Sequence, residues 1–244
     1  MKVTVVGTGC TWVTRNNTSF ILDDKMLFDI PSGNYKEIIK SIDIFNLSAV
    51  FISHLHSDHF GDFYVIASRY IREMKKLGRT EKLRVYGLKG LDEYVINLNK
   101  MIFCAEDETS MELLKGCIEF IEVEDGSEFI ESGYKVKAYR MTHGKMECYG
   151  YSFTDEKGKT ISFTADTCIC DAVDNMLSVS DVSFVDVASV DDNIRHHISY
   201  NQFLGLMKKF PNCKMYPVHT NYASQKIIEE NNTNPLFDGI VLNV

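Results

Sequence analysis

Short apolar, β-branched runs alternate with longer amphipathic stretches along this chain. Residues 3–6 (VTVV) read as a strand that stops at Gly7-Thr8-Gly9. Residues 18–22 and 26–29 read as a hairpin around Asp23-Asp24-Lys25, and residues 49–53 (AVFIS) as a buried strand. Helical spacing marks residues 35–42 and 63–77; the second run has Gly78 as its stop, and its Arg69, Arg72, Lys75 and Lys76 read as a solvated face. A strand at 83–86 and an amphipathic helix at 91–103 follow. Strands then dominate, at 118–123, 134–142, 148–154 and 159–164, the last two joined by a turn at 155–158. The remainder reads as a strand at 182–187, a helix at 199–210 capped by Ser199, a strand at 214–218 and a helix at 222–230.

This order predicts a mixed α/β protein with two sheets rather than a doubly wound nucleotide fold. Gly7-Thr8-Gly9 lacks the third glycine of a dinucleotide fingerprint and opens onto no helix. With no repeat, low-complexity tract or Pro/Gly-rich linker, residues 1–244 are expected to form a single domain.

Composition narrows the function classes. Hydrophobic residues make up 45% and charged residues 25%, which argues against a disordered chain. No apolar run reaches the roughly 18 residues that argue for a membrane span, and the N-terminus does not read as an export signal, so a cytoplasmic location is expected. The seven cysteines are odd in number and contain no CxxC pair, so they read as reduced thiols. The net charge of −8 disfavours nonspecific binding of polyanions.

Chemistry concentrates at residues 53–61, Ser-His-Leu-His-Ser-Asp-His-Phe-Gly. His54, His56, Asp58 and His59 lie directly after the predicted buried strand, and three of the chain's seven histidines are here. Imidazole donors suit zinc, iron, nickel or copper, and a carboxylate extends the range to manganese. Three further residues sit at predicted strand ends: His143 in Arg-Met-Thr-His-Gly, Asp166 in Phe-Thr-Ala-Asp-Thr and His219 in Tyr-Pro-Val-His-Thr.

The motif His54-x-His56-x-Asp58-His59, followed in order by His143, Asp166 and His219, resembles the signature of the metallo-β-lactamase superfamily. The resemblance implies an αβ/βα four-layer sandwich of two mixed sheets flanked by helices. It also implies a dinuclear site, with one metal on His54, His56 and His143, the other on Asp58, His59 and His219, and Asp166 bridging them. Zinc is the first expectation for the two divalent ions, with manganese or iron as alternatives.

Gly7-Thr8-Gly9, the segment from Thr14 to Ser19, Leu27-Phe28-Asp29 and Tyr149-Gly150-Tyr151-Ser152-Phe153 resemble the ribonuclease Z and phosphodiesterase branch. There Asp29 would hold a ligand histidine. His197-Ile198-Ser199 resembles an element whose histidine contacts the phosphate or protonates the leaving oxygen, although His196 is an alternative. Only 23 positions separate His143 from Asp166, too few for the basic tRNA-gripping arm of ribonuclease Z. The resemblance therefore implies a hydrolase of a small, cyclic-nucleotide-like phosphodiester, or of an RNA end. A hydroxide bridging the metals would attack, oriented by Asp58, with His197 as the acid. Two rivals use the same ligands: a carbonyl hydrolase acting on a thioester, lactone or β-lactam, and a di-iron redox or sensor protein. A homodimer without a membrane partner completes the expectation.

Overall fold

The alternation of side chains along the strands sorts this chain into layers in the computed structural model, which describes residues 1–78, 80–103 and 108–244. Cys104 and the side chain of Lys75 lie outside the described residues. One sheet contains β1 (Lys2–Gly7), β2 (Ser19–Leu22), β3 (Met26–Phe28), β4 (Ala49–Phe51), β5 (Leu83–Gly87) and β6 (Ile118–Glu122). The other contains β7 (Glu128–Glu131), β8 (Tyr134–His143), β9 (Met146–Thr154), β10 (Thr160–Phe163), β11 (Val182–Asp186) and β12 (Lys214–Val218). The last strand, β13 (Val241–Asn243), returns to the edge of the first sheet beside β1. The sheets run in the order 13-1-2-3-4-5-6 and 12-11-10-9-8-7, and both mix parallel and antiparallel pairs.

Period-two burial explains the packing. Val3, Val5, Phe20, Leu22, Met26, Phe28 and Phe51 of the first sheet meet Val136, Tyr151, Phe153, Ile161, Phe163 and Phe184 of the second in one core. Phe163 stacks on Phe28 with ring centroids 5.0 Å apart and on Phe184 at 4.9 Å. Fully burying a side chain of this kind contributes roughly 1.5–3 kcal/mol.

The intervening residues face outward. Val6, Ile21, Leu27, Val50 and Val85 pack against α1 (Tyr35–Ser41), α3 (Phe63–Leu77), α4 (Leu91–Phe103) and α5 (Glu108–Cys117), with the one-turn α2 (Ser57–Phe60) leading into α3. Met141, Val185 and Met215 pack against α6 (Asp171–Leu177), α7 (Tyr200–Lys209) and α8 (Tyr222–Glu230). The result is helices, sheet, sheet, helices: a four-layer αβ/βα sandwich.

Most predicted elements are present, with Gly78 in the left-handed conformation at the end of α3 and Ser199 making a capping box with Gln202. Additional elements are α2, α5, α6, β7 and β13. On α3, Arg69 donates to the Tyr35 hydroxyl at 3.0 Å and Lys76 pairs with Glu73. The six cysteines among the described residues are free thiols. No helix among the described residues is long and apolar enough to cross a membrane.

Candidate metal centre

Strand direction brings the donors together. Strands β3 and β4 are parallel, as are β10, β11 and β12, and β8 runs with β10 because both are antiparallel to β9. Their C-terminal ends open onto one edge of the sandwich, where Asp29, His54, His143, Asp166, Asp186 and His219 follow or end them.

Asp166 occupies the middle. Its Oδ2 lies 3.7 Å from both His54 Nε2 and His143 Nε2. His56 Nδ1 approaches these two nitrogens at 3.0 and 3.3 Å. The other oxygen, Oδ1, lies 3.2 Å from His59 Nε2 and 3.4 Å from His219 Nδ1. One carboxylate therefore faces two groups of donors: His54, His56 and His143 on one side, and Asp58, His59 and His219 on the other.

Neighbours fix the imidazoles. Asp29 is fully buried, and His59 Nδ1–H donates to its Oδ2 at 2.7 Å. The Ser53 amide and hydroxyl also donate to Asp29, each at 2.7 Å. Because the Ser53 proton is committed there, its oxygen accepts from His54 Nδ1–H at 3.0 Å, leaving the His54 Nε2 lone pair aimed at the cluster. His143 Nδ1–H likewise donates to the His196 carbonyl at 3.0 Å. The His219 amide donates to Thr18 Oγ1 at 2.9 Å.

The backbone is bent to achieve this. Asp29, Ala165, His196 and His219 have positive φ, between 55° and 68°. Such conformations cost non-glycine residues roughly 1–3 kcal/mol each. Gly144, at φ 62°, lies beneath the His196 ring, where a Cβ would come 3.0 Å from Cε1.

Electrostatics follow burial and charge. Burial opposes ionisation of Asp166, but His219, His59 and His54 hold its carboxyl well below the ordinary range. Burial and neighbouring imidazoles push His54 well down. Burial also disfavours the charged form of His59, but carboxylates on both of its nitrogens lift it well above the usual value. Asp58 is lowered despite burial, by His59, His219 and a hydrogen bond from Thr11.

The donor set fits a cation. His59 Nε2, Asp166 Oδ1 and His219 Nδ1 are buried, face one another and lack a hydrogen-bond partner. Buried polar atoms rarely stay unpartnered, and a divalent ion among imidazole and carboxylate donors satisfies all three.

His197, rather than His196, lines the cavity of about 540 Å³ above this cluster. Its Nδ1–H donates to Asp186 Oδ2 at 2.9 Å, and the same oxygen accepts the Thr167 amide at 3.0 Å. Burial alone would lower the His197 pKa, but Asp186 raises it to about 9. His196 acts through its carbonyl on His143.

The family described as anti-Pycsar protein Apyc1 matches residues 1–237. The chain belongs to that family. This Apyc1-family chain is also 32% identical to a ribonuclease BN from Erwinia tasmaniensis over 165 residues, covering 62% of this chain and 48% of the relative. It thus spans about half the length of the curated relatives it matches. Among solved structures, the metallo-β-lactamase fold protein YhfI from Bacillus subtilis superposes with a TM-score of 0.75 at 17% identity, covering 99% of this chain and 98% of the other. A diphosphatase from the PhnP family superposes at 0.77 and 19% identity, covering 100% and 97%. The fold of this Apyc1-family chain is the metallo-β-lactamase fold.

Sequence reading did not single out Ser53, Thr18, Asp186 or the His196 carbonyl. Asp186 carried a readable signal, a carboxylate ending the apolar strand Val-Ser-Phe-Val-Asp. The others act through a backbone group or a short hydroxyl, which carry no distinctive sequence signature.

Proposed function

We propose that this chain is a dinuclear metal-dependent hydrolase of small, cyclic-nucleotide-like phosphodiesters. The observation that carries the proposal is Asp166, whose Oδ2 faces His54 and His143 and whose Oδ1 faces His59 and His219, so that it lies between two clusters of three donors. His54, His56 and His143 would hold one ion, Asp58, His59 and His219 the other, with Asp166 shared. Zinc suits these donors best, with manganese or iron as alternatives. Two such ions supply positive charge that lowers the pKa of water and offsets charge developing on a phosphoryl group.

The chain's own groups supply the rest. Asp58, on the cavity wall, orients the attacking water. His197, whose Nδ1–H is held by Asp186, lines the cavity and is placed to give a proton to the leaving oxygen. Asp29, Ser53 and the His196 carbonyl keep the imidazoles aimed.

Two observations favour a small phosphodiester over a long RNA. Between His143 and Asp166 the chain forms only β9, β10 and tight turns. The net charge of −8 opposes docking of a polyanion. The ribonuclease names of the sequence relatives point to the phosphodiester bond.

The test is hydrolysis of bis(p-nitrophenyl) phosphate and a cyclic-nucleotide panel by metal-loaded protein, with His197→Ala alongside. Turnover is expected, and His197→Ala should lower it about 10²- to 10⁴-fold while metal content stays at the wild-type level. Loaded protein without phosphodiester turnover would overturn the reading.

A further inference from the structure

Trp12 is the chain's only tryptophan, and its side chain is 83% exposed. It lines the same cavity as Asp58, Asp166 and His197. The loop that carries it is held on both sides. Gly9 pairs with Thr220, the Cys10 amide donates to the Thr220 carbonyl at 3.2 Å, and Val13 N–H closes a turn onto the Cys10 carbonyl at 3.3 Å. Thr11 and Asp58 line the same cavity. Gly9 is pressed so closely against Val13 that a Cβ would come 2.5 Å from its Cγ2. The loop backbone thus holds a large indole on the lining of the site with its apolar surface in water. Ala188 and Ile194 line the same cavity. The cavity lining carries charged and imidazole groups suited to a phosphoryl group, while Trp12, Ala188 and Ile194 suit something flat and apolar.

We propose that Trp12 is a stacking platform for the nucleobase of the substrate, so that the site recognises nucleotides by a base as well as a phosphodiester. This rests on the phosphodiesterase reading above. An indole face accepts any base, so the contact would favour base-bearing substrates without selecting one base sharply. Trp12 would be a binding residue with no part in bond cleavage.

Because the chain has a single tryptophan, its fluorescence reports this contact directly. Titration with a cyclic-nucleotide phosphorothioate should quench emission saturably, and ribose cyclic phosphate lacking a base should not. In parallel, Trp12→Ala should reduce the ratio of kcat/KM for a cyclic nucleotide over the base-free substrate by roughly tenfold to a hundredfold, and Trp12→Phe should restore most of it. Equal quenching by both ligands, or an unaltered ratio in Trp12→Ala, would overturn the proposal. So would emission that responds to protein concentration but not to nucleotide, which would place Trp12 between copies of the chain. If the wild-type protein hydrolyses neither substrate, the phosphodiesterase reading fails by itself, and the quenching comparison still decides whether Trp12 meets a base.

Discussion

Asp29 and His59 are joined by a 2.7 Å hydrogen bond in which a fully buried carboxylate takes the Nδ1 proton and turns Nε2 toward Asp166. The same carboxylate is held by both the amide and the hydroxyl of Ser53, which in turn fixes His54. One acid thereby orients one imidazole in each of the two donor groups.

Removing that acid should therefore weaken both halves of the centre. Asp29→Ala is expected to lower divalent-ion affinity by about 10- to 100-fold, measured by chelator competition. Asp29→Asn, whose amide oxygen can still accept from His59, should lose less. Wild-type affinity in Asp29→Ala would mean that the imidazoles are aimed by packing alone.

The pair Asp186 and His197 makes a prediction about pH. In the metal-free protein the His197 ring should titrate at about 9, followed by NMR. Asp186→Asn should bring it down toward the ordinary value near 6.5. The sign follows from the raised folded pKa: the stabilising contribution is complete below about 6.5 and is lost as pH rises through about 9. A His197 ring that titrates equally in both proteins would remove Asp186 from this role.

A second ion pair gives the opposite limb. Glu131 on β7 accepts from Arg84 Nη2 at 2.7 Å and from the Tyr86 hydroxyl at 2.9 Å, both on β5, so it ties the edge strand of one sheet to the penultimate strand of the other. Burial pushes its carboxyl up, but the hydrogen bonds from Arg84, Ser132 and Tyr86 outweigh this and leave it lowered. Its contribution is present above about pH 4.3, the unfolded value, and disappears as pH falls through the lower folded value. Glu131→Gln should cost about 1–3 kcal/mol in denaturant unfolding at neutral pH, with the difference shrinking in acid. A cost independent of pH would assign the loss to packing.

The bend at Gly144 can be tested by adding a single methyl group. Gly144→Ala strains a residue at φ 62° and presses on the His196 ring, whose carbonyl holds His143. Stability should fall by about 1 kcal/mol, and affinity for the first metal equivalent should drop as well. Unchanged affinity would show that His143 keeps its orientation without the His196 carbonyl.

Much of this was legible because the donors are local or sit at strand ends. His54, His56, Asp58 and His59 fall within one turn after β4, and His143, Asp166 and His219 each end or follow an apolar strand whose direction the fold then aligns. Short edge elements were not legible. β7 reads Glu-Phe-Ile-Glu and β13 spans only Val241–Asn243, so neither is long enough for a periodic signal, and each is fixed by pairing with a distant or neighbouring strand. The choice between His196 and His197 also lay outside the sequence. The positive φ of His196 sets its ring over Gly144, while His197 lines the cavity.

The central claim is that Asp166 joins two cation sites. The most direct measurement is the metal content of the purified, zinc-supplemented protein by elemental analysis, repeated on Asp166→Ala. The account predicts two ions per chain in the wild type and loss of tight binding at both sites in the variant. One ion per chain, or two that survive removal of Asp166, would contradict it.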